Sequence, residues 1–247
     1  MVLQAEEGLI TTAVPVLVAT AVPVERDAVA RALPASAEEV RLPGAVLCRT
    51  AAGWDLLAAG VGPALAAASA AGALTAAALA GRPYGLVVSA GIGGGFPGAP
   101  LGSLVVADAI TAADLGAETA DGFLPVTELG FGTVTHRPPE SLVRAVRRAT
   151  GARAGTVLTV STVTGTAARA AALRARHPGA LAEGMEGFGV AEAAAAHGVP
   201  VLELRAISNP VGPRDRAAWR IGDALAALTE GFAQLVPALE SWNAHER

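Results

Sequence analysis

Two short apolar runs, VPVLVAT at residues 14–20 and YGLVVS at 84–89, most constrain what this chain can become. Each is too short for a buried helix, and neither alternates as a strand with one wet face would, so each reads as a strand buried on both sides. Such strands need helices above and below them. The sequence supplies helical patterns near Glu25 (ending by Leu33, before Pro34), at 63–81, 140–150, 166–176 and 185–197, and in a last stretch from near Arg216 that Pro237 interrupts or ends. Further strands are expected at 45–50 and 55–59 around a turn at Gly53, and at 103–107, 156–161 and 201–207. This alternation predicts an α/β chain: one three-layer α/β/α domain over residues 1–247 with a mixed, largely parallel central sheet. Residues 1–12 and 241–247 are expected to be flexible ends, and 115–139, rich in scattered Gly and Pro, a loop-rich insertion that shapes a site or an oligomer contact.

The composition narrows the partner. With 52% apolar and 16% charged residues over 247 positions, the chain can bury a sizeable core within one domain. A net charge of −4 without a long basic run lacks the footprint for nucleic acid or an anionic membrane, so a small molecule is the expected ligand. The stretch 63–81 has no charge over about a membrane-spanning length, but it is mostly Ala with Ser69, Gly72 and Thr75 inside it. It reads as a buried soluble helix lying close to a sheet. Cys48 is alone and the four histidines have no metal-ligand spacing, so neither a disulfide, a metal nor another cofactor is expected. Glu6 and Glu7 stand where a secretory signal would need basic residues, which places the chain in the cytoplasm.

In sheets of this kind, ligands bind beyond the carboxyl ends of the strands. Those ends deliver Glu25, Gly60-Val61-Gly62, the glycine run 91–95, residues 161–165, Glu186 and Asn209. Glycine clusters there let backbone N–H groups approach a phosphate or sugar. They do not make a dinucleotide fold, because the run at 91–95 is followed by Pro97 and Pro100 rather than a helix, and Gly60-Val61-Gly62 lacks the third glycine. Glu186, amid Met185, Gly187, Phe188 and Val190, is either a working carboxylate or a helix-dipole residue, and Glu25 has the same two readings. By position alone, Asn209 before Pro210 is a turn residue.

Taken together, Glu25, Gly60-Val61-Gly62, SAGIGGG at 89–95, Met185-Glu186 and RAISN at 205–209 resemble the nucleoside phosphorylase and nucleosidase superfamily, especially its hydrolytic branch. VSTVTGT at 160–166 and ISNPVGPRDRAAW at 207–219 are similar to the members of that branch that cleave futalosine in menaquinone biosynthesis. The resemblance implies that Glu25 is the general base orienting a water nucleophile and that Glu186 accepts hydrogen bonds from the ribose hydroxyls. It implies that Val163 and Thr164 border the purine and that Ile92 and Gly93 approach ribose or base, with Gly62, Gly91 and Met185 also at the substrate. Members commonly assemble as dimers or larger homo-oligomers.

Asn209 departs from the adenine-cleaving nucleosidases, which carry Asp there as a general acid. An amide supplies no proton, but it donates one hydrogen bond and accepts another, matching the O6 and N7–H of a 6-oxopurine. The expectation is that Asn209 selects hypoxanthine over adenine. Arg214 and Arg216 offer partners for the carboxylate of a carboxyphenyl group and Trp219 a ring to pack on it; the other reading is a solvated helix start capped by Asp215. Within the superfamily the alternative is a phosphorylase, or a nucleosidase for methylthioadenosine, S-adenosylhomocysteine or inosine. Phosphorolysis would need cations at the glycine loops, where only Arg26 is near. A non-catalytic nucleoside-binding domain would keep those loops without needing Glu25.

Overall fold

A computed structural model describes residues 14–33 and 37–245, so the flexible end expected over 1–12 lies outside the described residues. β1 (Val16–Thr20) is buried throughout and leads into α1 (Pro23–Ala30), which starts at Pro23, where a missing N–H costs nothing. β2 (Ala37–Leu42), β3 (Ala45–Thr50) and β4 (Trp54–Ala58) form an antiparallel meander. α2 (Pro63–Leu79) is the Ala-rich stretch, and among the described residues no helix is long and apolar enough to cross a membrane. β5 (Leu86–Gly95) and β6 (Leu104–Ala112) follow. The region 115–139 is not all loop: β7 (Gly116–Thr119) and β8 (Gly122–Pro125) make a hairpin, and β9 (Thr135–His136) pairs with β6.

The second half alternates as expected through α3 (Glu140–Thr150), β10 (Arg153–Thr159), α4 (Ala167–Arg176), β11 (Ala180–Gly184), α5 (Gly187–Ala196), β12 (Val201–Pro210) and α6 (Ile221–His245). Several boundaries correct the sequence reading. The final helix starts at Ile221, after a short 3-10 turn at Arg216–Ala218, and it runs through Pro237, which is flanked by the buried Leu235 and Leu239. Packing on both sides holds the helix where one backbone bond is lost. Residues 241–245, expected to be flexible, continue that helix. Asn209 and Pro210 sit in β12 rather than in a turn, with Pro210 at the strand end, where no ladder N–H is required.

The strand order is β11-β10-β6-β12-β5-β1-β4-β3-β2. β4, β1, β5 and β12 are mutually parallel, as are β6, β10 and β11, and antiparallel β12–β6 contacts join the two groups. Helices cover both faces. α2 and α5 pack on one through Ala66, Ala70, Phe188 and Val190. α1, α3 and α6 cover the other through Val29, Leu142, Val146 and Phe232.

One pairing bends the sheet back on itself. β11 also runs antiparallel to the end of β5, with Glu183 opposite Gly94 and Ala182 opposite Gly95. Strands β5, β12, β6, β10 and β11 thereby close a ring. The glycines expected to form a ligand loop are instead the last part of β5. A Cβ on Gly93 would lie 2.8 Å from the Glu183 carbonyl oxygen, and one on Gly95 would collide with the Ala99 backbone. They are glycine because backbones meet there.

Candidate active site

Beside the ends of β1, β5, β11 and β12 lies a cavity of about 190 Å³. Of the residues singled out in the sequence, Glu25, Ile92, Gly93, Val163, Met185, Glu186, Asn209 and Trp219 line it. Glu25 lines the cavity and matches its helix-start reading. It occupies the first turn of α1, where Oε2 accepts the N–H groups of Ala21 and Val22 at 3.0 and 3.3 Å, and Oε1 accepts the Ile92 N–H at 2.8 Å. Burial pushes its carboxyl above the ordinary value of 4.5, opposed by the charge of Arg205 and the Ile92 N–H and assisted by Glu186. A base that holds its proton more tightly is better placed to take one from water near neutrality.

Glu186 stands at the N-terminal boundary of α5. Its Oε1 accepts the Gly62 N–H at 3.2 Å, and its Oε2 accepts the Met185 N–H at 3.3 Å and Arg205 Nη1 at 3.2 Å. Gly62 thus reaches the site through this carboxylate, with a backbone φ of 91° that glycine tolerates. Gly91 also acts from behind the cavity wall: a Cβ there would fall 2.7 Å from Glu25 Oε1 and 2.8 Å from Arg205 Nη1. Its missing side chain lets the guanidinium lie beside the carboxylate.

Arg205 is the centre of this cluster. It is 1% exposed, donates from Nε to Glu203 Oε1 at 2.8 Å and from Nη2 to Ser89 Oγ at 3.2 Å, and reaches Glu186 through Nη1. Burial alone would lower its pKa, but Glu203, Glu186 and Glu25 hold it above the ordinary value, so it remains a cation. Glu203 is 0% exposed, and its Oε2 has no hydrogen-bond partner among the described residues. Three carboxyl groups, Glu203, Glu186 and Glu25, thus surround one guanidinium.

At the other end, Asn209 accepts from Ser208 Oγ at 2.8 Å through Oδ1 and donates from Nδ2 to the Pro210 carbonyl at 3.0 Å. The amide retains one N–H and one acceptor position. Thr164 does not line the cavity; it is buried behind Glu183 and donates to it from both N–H and hydroxyl. Arg214 and Arg216 are exposed and also stand off the cavity, their guanidinium carbons 5.1 and 5.8 Å from the Trp219 ring centroid. Asp215 caps the intervening turn by accepting the Ala217 N–H at 3.1 Å, and the Arg220 N–H ties this loop to the Ser208 carbonyl at 2.8 Å.

The profile of the phosphorylase superfamily matches residues 15–239. The futalosine hydrolase of Streptomyces coelicolor is 81% identical over 94% of this chain and 99% of its own. This chain belongs to the futalosine hydrolase family. The futalosine hydrolase of Acidothermus cellulolyticus is 50% identical over 89% of each chain. The native structure of the Helicobacter pylori futalosine hydrolase superposes with a TM-score of 0.75 at 18% identity, covering 93% of this chain and 98% of that one, which shows the shared fold.

In this futalosine hydrolase family member, sequence reasoning missed Glu183, Glu203 and any role for Arg205. A signal for two of them was present. Glu203 and Arg205 are two apart in a stretch, residues 201–207 of β12, otherwise built of Val, Leu, Ala and Ile, so they share a face. Two opposite charges on one face of a buried strand must be paired.

Proposed function

We propose that the protein hydrolyses the N-glycosidic bond of futalosine, releasing hypoxanthine and dehypoxanthine futalosine in menaquinone biosynthesis. The observation that carries this reading is the 81% identity to the Streptomyces coelicolor futalosine hydrolase over nearly the whole of both chains. Glu25 orients a water and takes its proton as the oxygen bonds to the anomeric carbon and the bond to the base breaks. Glu186 accepts hydrogen bonds from the ribose hydroxyls, and its charge favours the cationic sugar of the transition state. Ile92, Gly93 and Met185 flank the ribose or base, while Val163 borders the base and Thr164 supports that wall from behind Glu183. Asn209 presents its remaining N–H and acceptor to O6 and N7–H of the departing hypoxanthine, which takes its N7 proton from solvent. Arg214 and Arg216 hold the distal carboxylate, and Trp219 packs against the phenyl ring.

Water rather than phosphate is the nucleophile. Arg205, beside both reacting carboxylates, is committed to Glu203 and Glu186, and Arg26 is paired with Asp27 at 2.8 Å. The reaction needs no metal or other cofactor and involves neither nucleic acid nor membrane. We place the protein in the cytoplasm as a homo-oligomer, a dimer or larger, with the exposed Leu129 and Phe131 of the 115–139 region as contacts. Purine release from futalosine, inosine and methylthioadenosine, each with and without phosphate, tests the reading. Futalosine should be the best substrate and phosphate should not matter; a phosphate requirement, or release from the adenine nucleoside alone, would overturn it.

A further inference from the structure

One buried acid on the cavity wall has no part in these steps. Glu183, near the end of β11, is 5% exposed and lines the cavity. Its partner across β5 is Gly94, and the partner of Gly94 on its other side is Asn209. Glu183 and Asn209 therefore belong to the two strands that flank one residue of β5, and both line the cavity.

Thr164 commits both of its donors to this acid. Its N–H meets Glu183 Oε1 at 2.9 Å, and its hydroxyl meets Oε2. Thr164 itself does not line the cavity, so of this pair it is Glu183, an acceptor with lone pairs remaining after both bonds, that stands on the wall. Purines differ in what they offer such an acceptor: a 6-oxopurine carries a hydrogen on N1, whereas N1 of a 6-aminopurine is a bare acceptor.

We propose that Glu183 is a specificity-determining residue, whose carboxylate accepts the N1–H of a 6-oxopurine and repels N1 of a 6-aminopurine, while Asn209 reads the O6 and N7 edge. This rests on the reading of the protein as a futalosine-cleaving nucleosidase. Burial pushes the Glu183 carboxyl up, against the two bonds from Thr164 and the charge of Arg169 and with the charge of Asp114, which makes it a more basic acceptor. A site built around such a bond rejects the analogue that lacks the donor, because the buried acceptor is then left unpaired.

The test compares futalosine with its 6-amino counterpart on the wild type and on Glu183→Gln, which keeps the shape but offers an amide able to donate to N1. The variant should lose roughly ten- to a hundredfold in kcat/KM on futalosine. Its activity on the 6-amino substrate should hold or rise. An equal loss on both, as from a merely structural acid, would overturn the proposal. A measurement on the wild type stands independently of how the variant folds: 1-methylhypoxanthine, which has no N1–H, should inhibit at least about tenfold more weakly than hypoxanthine, and equal inhibition would also overturn it. Failure of the wild type to release hypoxanthine from futalosine would instead remove the functional reading on which the proposal rests.

Discussion

Replacing Gly187 by alanine sets two effects of opposite sign against each other. Gly187 opens α5, and alanine in a helix is favoured over glycine by up to about 1 kcal/mol. A Cβ at this position would, however, collide with both oxygens of the Glu203 carboxylate. Glu203 is 0% exposed and so has no solvent to swing into, and displacing it stretches its 2.8 Å bond to Arg205 Nε. Separating one partner from a buried ion pair costs about 3–5 kcal/mol. The clash wins, and the net loss is about 2–4 kcal/mol, or roughly 4–16 °C in Tm for a chain of this size. Urea and thermal unfolding measure it. Adding Glu203→Ala removes the obstacle, so the double variant should be at least about 1 kcal/mol more stable than the two single losses added together. A Gly187→Ala protein more stable than the wild type would show that helix propensity governs this position and would refute the packing argument.

Three further outcomes follow from the site. As the proposed general base Glu25 must be ionised, and burial raises its carboxyl above the ordinary value, so kcat/KM should rise with pH through a limb above the usual Glu range, and Glu25→Gln should lose about 100- to 10,000-fold; a wild-type limb at or below the ordinary Glu range would contradict this. The folded protein binds that proton more tightly than the unfolded chain does, so this carboxyl contributes stability at low pH and loses it as pH rises through the folded pKa, opposite to activity. Asn209→Asp should narrow the preference for 6-oxopurine nucleosides by about tenfold or more, since one hydrogen bond at the base edge is reversed; an unchanged preference would defeat the assignment. Arg214→Ala or Arg216→Ala should raise KM for futalosine severalfold to about tenfold while sparing inosine, given exposed charges, and equal effects on both substrates would dismiss a grip on the distal carboxylate.

What the sequence disclosed divides by range. β1 and the first part of β5 are legible because burial on both faces demands unbroken apolar runs, and the Ala-rich α2 because little else suits nineteen uncharged residues at 63–81. The continuation of β5 through Gly91–Gly95 is not, since glycine disfavours strands and its use there depends on a backbone ninety residues away. β2 escapes because AEEVRL carries three charges, and β11 because five residues ahead of a helix merge with it. Glu25, Glu186 and Asn209 are visible as odd polar residues at or just beyond the ends of apolar runs. Glu183 is hidden for a different reason: its importance lies in Thr164, nineteen residues earlier, turning both donors toward it.

The closure of β11 onto β5 sets a measure for the ligand. Glu183 and Asn209 are two strand spacings apart across Gly94, about 10 Å between backbones. On the proposed reading, the side chains of Glu183 and Asn209 approach the base from strands held this far apart. That spacing is held by the hydrogen-bonded lattice of the barrel rather than by a movable loop. Selection for a different base could change the two jaws, but the gap between them is fixed by the backbone.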